Sequence, residues 1–397
     1  MLSTPKWATR GLRNVAALAL AMGVAACATA PRTAVVDGGI DVDPNQPVTV
    51  ALLVPQGSGD PGREQIARSL INAAQLAQAD LQNATIDLRV YPDAGTAAGG
   101  AAAARKAVDE GAKIIVGPLF STATAGAQGV AGSAGLTVLS LSNNPEVAGG
   151  NTWILGNTFQ NSADRLAAYG LGRGLRAYGV VHPAGLEGET ARNAAVAAIR
   201  ARGGEVVGTA PYTVSMAGIQ SSGPATAASL AAAGANAVVQ TDGPTGGLVY
   251  IADALRAGGL PAGQVQFLGL QRWDVSPEAL TQPSLDGGVF ATADPALTAA
   301  FAGRYRNAYG EAPGDVAGFA YDAIAAIGAM IADARATGGS PFAPGRLTAP
   351  SGFAGVNGAF RLLPGGLNQR NLAIMEVRGG QAVVAEPAAR SFTGVFN

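Results

Sequence analysis

The sequence predicts an α/β protein built from two doubly wound parallel-sheet lobes, preceded by an N-terminal signal and a tether. Three observations carry that reading. Short β-branched or apolar runs alternate with helical stretches from Val48 almost to the C-terminus. The alternation completes one series and restarts at Phe159. Hydroxyls and amides gather where the apolar runs end, most clearly in Ile114–Glu146 (IIVGPLFSTATAGAQGVAGSAGLTVLSLSNNPE). In an open parallel sheet the ligand crevice lies outside the carboxyl ends of the strands. Ser121, Thr122, Ser142, Asn143 and Asn144 are therefore candidate ligand-binding residues, and a helix starting near Ser121 would aim its free N–H groups at the same crevice. The competing role for these side chains is capping of helices and turns.

Bulk composition narrows the class. The 397 residues suggest two or three domains, and 48% hydrophobic with 13% charged residues is a globular balance. Lys+Arg 26 against Asp+Glu 27 gives a formal net charge of -1, without a basic run, so no nucleic-acid partner is expected. The single cysteine, Cys27, excludes an intrachain disulfide. With only one histidine, His182, a His/Cys zinc site is excluded as well, and no metal or cofactor is expected.

Lys6, Arg10 and Arg13 precede the apolar run Val15–Ala26, the layout of an export signal over residues 1–26. A lasting transmembrane helix is the competing reading; the run is short for it and rich in Ala and Gly. Val24-Ala25-Ala26-Cys27 resembles the bacterial lipobox, which implies lipidation of Cys27 and a membrane anchor. A plain secretory signal with an incidental cysteine is the alternative. Ala28, rather than Asp, after the cysteine favours the outer membrane in such lipoproteins. Residues 27–47, with Pro31, Gly38, Gly39, Pro44 and Pro47, read as a tether. The expected location is the periplasm. Asp41, Asp43 and Asn45 imitate a calcium loop, but Gln46 and Leu52 stand where its glycine and closing glutamate belong.

From there the elements follow in order. Val48–Val54 is a buried strand, the Gly-rich turn GSGDPG follows, and a helix covers Arg63–Leu81. That turn is formally a dinucleotide fingerprint. It fails because the next strand, Ile86–Tyr91, has its terminal acid at Asp93, too far along for the ribose contact. Next come a helix over Ala97–Glu110, strand 114–116, the helix near Ser121, strand Leu136–Leu141 and strand Thr152–Leu155. The second series comprises helix Phe159–Gly174, strand Ala177–Val181, helix Glu187–Arg202, strand Val206–Tyr212, a helix near Ala225–Ala233, strand Ala237–Thr241, helix Gly246–Ala257, strand Gln264–Leu270 and strand Gly288–Ala291. Two helices follow, Ala296–Tyr309 and Asp315–Ala336, with Asp315 as expected N-cap of the latter. Gly358–Leu363 and Asn371–Arg378 read as a hairpin around Pro364-Gly365-Gly366, with a last strand at Ala382–Ala385.

The stretches VALLVPQGSG, IIVGPLFS, VLSLSNNPE, FLGLQRWD, YRNAYGEAPGDVAGFAYDAI and GVNGAFRLLPGG resemble the type I periplasmic-binding fold in its leucine-binding-protein branch. The resemblance runs from about Val48 to the end. It implies two lobes joined by a three-crossing hinge, with crossings near Asn157, Ala291 and Gly345: lobe 1 from 48–157 and 292–345, lobe 2 from 158–291 and 346–397. VGPLFS and VLSLSNNPE are most similar to penicillin-binding protein activators, outer-membrane lipoproteins that stimulate peptidoglycan synthases. The alternative relatives are amino-acid receptors that deliver to an ABC permease. In those, first-lobe hydroxyls and N–H groups hold the ligand carboxylate, for which Ser121, Thr122 and Ser142 are available. A carboxylate after the FLG strand holds the ammonium, and an aromatic covers the ligand. Here those places hold Gln271 and Leu186, which removes two features an α-amino acid needs.

No catalytic constellation stands out. His182 lacks a G-x-S-x-G elbow to pair with and is expected as a polar crevice or loop residue. Glu187 and Glu189 read as partners of a helix dipole rather than an acid/base pair. Asp242 and Trp273 follow second-lobe strands and face the expected cleft, Trp273 either stacking on a ligand or partner or packing at the hinge. The expectation is thus a non-catalytic envelope lipoprotein acting on a peptidoglycan synthase, with an ABC-importer receptor for an amino acid or other small polar solute as the alternative. An envelope hydrolase has little in its favour.

Overall fold

The computed structural model describes residue 40 and residues 42–392. The expected signal, Cys27 with its lipidation and most of the tether lie outside the described residues.

Strand β1 (Val48–Val54) is buried throughout from Val50 to Val54, because it is central in its sheet and both faces are covered. Its alternation divides the two faces. Val50, Leu52 and Val54 pack with helix α1 (Pro61–Asp80), while Ala51 and Leu53 pack toward helices α2 (Ala97–Asp109) and α3 (Ser121–Ser133). Strands β2 (Ile86–Pro92), β3 (Ile114–Val116), β4 (Thr137–Ser140) and β5 (Thr152–Ile154) complete a parallel sheet of order β2-β1-β3-β4-β5. The many small residues of α2 and α3 let their backbones nearly touch. A Cβ on Gly100 would lie 2.1 Å from the Ala123 carbonyl, and one on Gly126 1.9 Å from that of Ala97.

The second lobe repeats this plan. Helix α4 (Phe159–Gly172) leads to β6 (Ala177–Pro183), α5 (Leu186–Ala201), β7 (Glu205–Tyr212), α6 (Met216–Ala232), β8 (Ala237–Gln240), α7 (Leu248–Ala257), β9 (Gln266–Gly269) and β10 (Val289–Thr292). The parallel part runs β7-β6-β8-β9-β10, the same order as the first sheet, and an antiparallel pair, β13 (Ala373–Arg378) and β14 (Gln381–Glu386), extends it beyond β10.

Helices α8 (Pro295–Tyr309) and α9 (Ala317–Thr337) return to the first lobe, where Tyr305, Ile324, Ile327 and Ile331 join the core around Leu52. By length and composition α9 could cross a membrane; its burial in that core explains its apolarity. A one-turn helix, α10 (Pro344–Leu347), precedes the hairpin of β11 (Phe360–Leu362) and β12 (Asn368–Arg370).

Four expectations need correction. Helix α6 begins about nine residues earlier than expected; Ser221-Ser222-Gly223-Pro224 reads as a breaker, yet Pro224 lies inside the helix. Asp315 does not cap α9, whose N-cap is Val316. The hairpin partner of Phe360–Leu362 is Asn368–Arg370, because the strand from Ala373 pairs with β10 in the large sheet instead. The third passage between lobes falls after Gly345: Phe360 and Leu362 still belong to the first core, and Leu372 belongs to the second lobe.

Buried polar contacts knit these passages together. Arg370, 1% exposed at its side chain, donates from Nε and Nη2 to the Leu155 carbonyl and pairs through Nη1 with the fully buried Asp322 of α9 at 3.3 Å. Its guanidinium lies over the rings of Phe319 and Phe360. Asn368 donates to the carbonyls of Ile154 and Gly156.

Candidate functional site

With order β2-β1-β3-β4-β5, each sheet changes direction between its first and third strands, and a crevice opens outside the strand ends at that point. In the first lobe this is the exit of β1 and β3. The β1–α1 turn is closed by Glu64, whose Oε1 accepts from the N–H groups of Gly57 and Ser58, so the Gly-rich turn has no free cradle for a phosphate. At the β3 exit, Gly117 has φ 84° and passes so close to Leu53 that a Cβ would lie 2.2 Å from its carbonyl oxygen. The Pro118 carbonyl accepts from Ser140 Oγ, and Ser140 Oγ meets Thr124 Oγ1 at 2.8 Å, which buries both hydroxyls.

The expected first-lobe ligand residues separate on this geometry. Thr122 Oγ1 donates to the Gly95 carbonyl. Buried Ser142 accepts from the Asn144 N–H, and Asn144 in turn caps the short turn at Pro145–Val147. Ser121 is half-buried at the first turn of α3 and Asn143 is exposed. They are the two of the five whose side chains stay clear of such local bonds among the described residues. Helix α3 has neither a side-chain N-cap nor an acidic residue in its first turn, so its positive end is uncompensated. Behind it lies Asp93, 1% exposed, with Oδ1 accepting from Gly95 N–H and Oδ2 without a partner among the described residues. Burial pushes its carboxyl up to about 6.

The corresponding point of the second lobe holds a cavity of about 320 Å³. The turn from Pro183 to Gly188 forms one wall, Thr241, Asp242 and Gln271 the floor at the β8 and β9 exits, and Phe159, Ala191 and Val214 the remainder. Among the described residues, none from the first lobe lines it. Asp242 is committed elsewhere. Its Oδ2 accepts from Tyr212 Oη at 2.6 Å and from Gly247 N–H, and its Oδ1 accepts from Gly243 N–H. Burial and this bond push the Tyr212 hydroxyl far above its ordinary range. Gln271 donates Nε2 to the Thr241 carbonyl. Glu187 and Glu189 stand in the first turn of α5, offsetting its positive end.

Two expectations fail here. Trp273 does not face a cleft. It is fully buried, packs on Phe290 at 5.8 Å and sits against Gly269 and Gly288, which leave room for its ring; its role is core packing. His182 is neither on a loop nor in the crevice wall; it is buried, with Nδ1–H donating to the Pro183 carbonyl at 2.9 Å. Sequence reasoning also missed Thr241. It is 1% exposed, lines the cavity, and its Oγ1 has no partner among the described residues. The signal was present, since Thr241 directly follows a strand whose end faces the switch point.

Two lobes of like strand order, each with its strand exits at a switch point, define a bilobed binding protein. Residues 47–382 match the family model described as periplasmic binding protein, and the chain belongs to that family. Similar solved structures include a branched chain amino acid ABC transporter periplasmic ligand-binding protein from Burkholderia xenovorans (TM-score 0.67, 16% identity, 86% of this chain and 96% of that one). A second is an ABC transporter substrate-binding protein from Desulfitobacterium hafniense in complex with Leu (0.61, 19%, 85% and 100%). A third is a solute-binding protein from R. palustris in complex with benzoate (0.55, 20%, 87% and 97%). At these identities the likeness is one of fold. No curated protein matches the sequence.

Proposed function

We propose that this protein is a non-catalytic periplasmic receptor that holds a small solute at the switch points of its two lobes and delivers it to an ABC permease. The observation that supports it best is the second-lobe cavity at the β6, β8 and β9 exits, with its one unpartnered hydroxyl among the described residues. Relatives of this fold bind leucine and benzoate, each an apolar body bearing a carboxylate. A small carboxylate of that type suits this chain: the uncompensated end of α3, with Ser121 and Asn143, would take the anion, and the second-lobe cavity the body. Cys27 would hold the receptor on a membrane through its lipid.

The similar structures named above are ligand-binding proteins of ABC transporters, and the importer reading therefore takes precedence over the expected activation of a peptidoglycan synthase. Thermal-shift screening against small carboxylates tests it. A ligand with a Kd near 1 μM, present at millimolar concentration, raises stability by about 4 kcal/mol. A screen without any saturable shift, together with capture of a peptidoglycan synthase by the intact protein, would reverse the order of the two readings.

A further inference from the structure

Two of the passages between the lobes are bonded to one another directly: Arg370 and Asn368 of the third donate to the Leu155, Ile154 and Gly156 carbonyls of the first. The second passage runs from β10 through Asp294 into α8, and the C-terminal stretch after β14 fastens it. One end of that stretch is fixed to the second lobe. Glu386 pairs with Ile374 in the β13–β14 ladder and accepts from Arg165 and Arg173 of α4 and its C-cap. The other end, Phe392, lies on first-lobe ground. Its ring is buried against Gly352, where a Cβ would lie 2.9 Å away, and under the Arg361 guanidinium at 4.8 Å from the ring centroid. Arg361 belongs to β11, whose Phe360 and Leu362 are part of the first core.

In between, Arg390 Nε stands 3.4 Å from Asp294 Oδ2, while Oδ1 of the same carboxylate caps α8 by accepting from the Ala296 and Leu297 N–H groups. Asn371, at the third passage, donates Nδ2 to the Ala389 and Ser391 carbonyls at 3.0 and 3.1 Å. The stretch 389–391 thus bonds the second passage to the third. These contacts differ in weight. Arg390 is 66% exposed at its side chain, so its pair with Asp294 is screened and weak. The buried Phe392 ring and the two bonds from Asn371 carry the attachment. From Glu386 to Phe392 the chain spans roughly 20 Å at most when fully extended.

We propose that residues 387–392 form an additional connection between the lobes, a strap of limited length that restrains their rotation about the passages. A lobe angle other than the one seen here requires Phe392 to leave Gly352 and Arg361, or the Asn371 bonds to break. Where binding needs such an angle, affinity falls with the population of that angle, so the strap sets affinity from outside both strand-exit sites. The restraint lies in the joint and holds whatever solute the receptor proposed above takes.

The test measures the distance between the lobes by double electron–electron resonance. The full chain carries Cys27→Ser, which removes its single cysteine, and spin labels at Gln65→Cys and Thr190→Cys, exposed positions on α1 of the first lobe and α5 of the second. Phe392→Ala is compared with the labelled parent. Val384→Ala, a change to an exposed side chain of β14 outside the strap, is the control. The expected result is a distance distribution that broadens or shifts by several ångström in Phe392→Ala, while Val384→Ala matches the parent. Should Phe392→Ala fail to fold, as judged by circular dichroism, Asn371→Ala takes its place, since it removes both bonds to the strap and should broaden the distribution in the same way. A distribution that superimposes on that of the parent would overturn the proposal, as would an equal change in Val384→Ala. The solute reading is untouched by either result, because no ligand enters the experiment.

Discussion

The two lobes share a strand order and differ at the ends of those strands. In the first lobe the exits are stitched shut: Thr124, Ser140 and the Pro118 carbonyl bond to one another, and Glu64 closes the turn after β1. What remains open is the end of α3, with no side-chain cap among the described residues and no acid in its first turn. In the second lobe the exits leave a cavity, its helix end already carries Glu187 and Glu189, and its floor carboxylate is saturated. The same topology thus presents a positive end on one side and a negatively rimmed pocket on the other. Polarity at a switch point is set by a few turn residues, not by the sheet.

The largest effect is expected where the lobes are tied together. Arg370→Met would leave the fully buried Asp322 without its cation, at about 3–5 kcal/mol. Urea unfolding should show the midpoint falling accordingly. The double variant Asp322→Leu/Arg370→Met should recover most of that loss, since no charge is then stranded. A single variant within about 1 kcal/mol of the parent would show that the passages are held by something else, and that each lobe can be compared as an independent unit.

Within the first lobe, the α2–α3 contact can be broken by one methyl group. Gly126→Ala places a Cβ against the Ala97 carbonyl and should destabilise by about 3 kcal/mol, the upper end for overpacking. Gly129, on the same helix but facing open space, is the control: Gly129→Ala should be stabilising by up to about 1 kcal/mol. Equal effects would mean that α2 and α3 are not in backbone contact. Neither change should alter binding to the second-lobe cavity.

Asp93 makes first-lobe stability depend on pH. Its carboxyl, raised to about 6 by burial, keeps a proton in the folded state that the unfolded chain has lost above about 4. Ionisation therefore opposes folding. Stability falls as pH rises from about 4 to 6 and stays lower above it. Asp93→Asn should gain about 1–2 kcal/mol at pH 7 and little at pH 4, because the bond from Gly95 N–H is kept in both cases. A gain of the same size at both pH values would place the cause outside this titration.

Much of this was legible in the chain. Val48–Val54, Ile114–Val116 and the Ser121 helix start follow from apolar runs and their punctuation, and the observed bounds coincide or differ by little. Long-range pairing was not legible. Nothing local to Phe360–Leu362 tells whether it pairs with Asn368–Arg370 or with the strand from Ala373, since both lie within hairpin reach. Site residues were legible by position and not by state. Trp273 follows a strand as a cleft residue would, and only the packing of its ring against Gly269 and Gly288 shows that it turns inward. Asp242 reads as an available carboxylate until Tyr212, thirty residues earlier, is seen to occupy it.

The smallest effect separates the lobes most directly, because it compares two buried hydroxyls of opposite circumstance. Ser140 Oγ donates to the Pro118 carbonyl and meets Thr124 Oγ1. Ser140→Ala should therefore cost about 1 kcal/mol, the usual net worth of such a bond, as Thr124 is left with the weaker of its contacts. Thr241 Oγ1 gives up nothing when removed, since it has no partner among the described residues to lose. In the ligand-free protein Thr241→Val should be neutral or stabilising by a few tenths of a kcal/mol, the saved desolvation of an unsatisfied hydroxyl. Differential scanning calorimetry on both variants resolves the two. If Thr241→Val were the more damaging, its hydroxyl would already be serving the fold, and the second lobe would be as closed at its strand exits as the first.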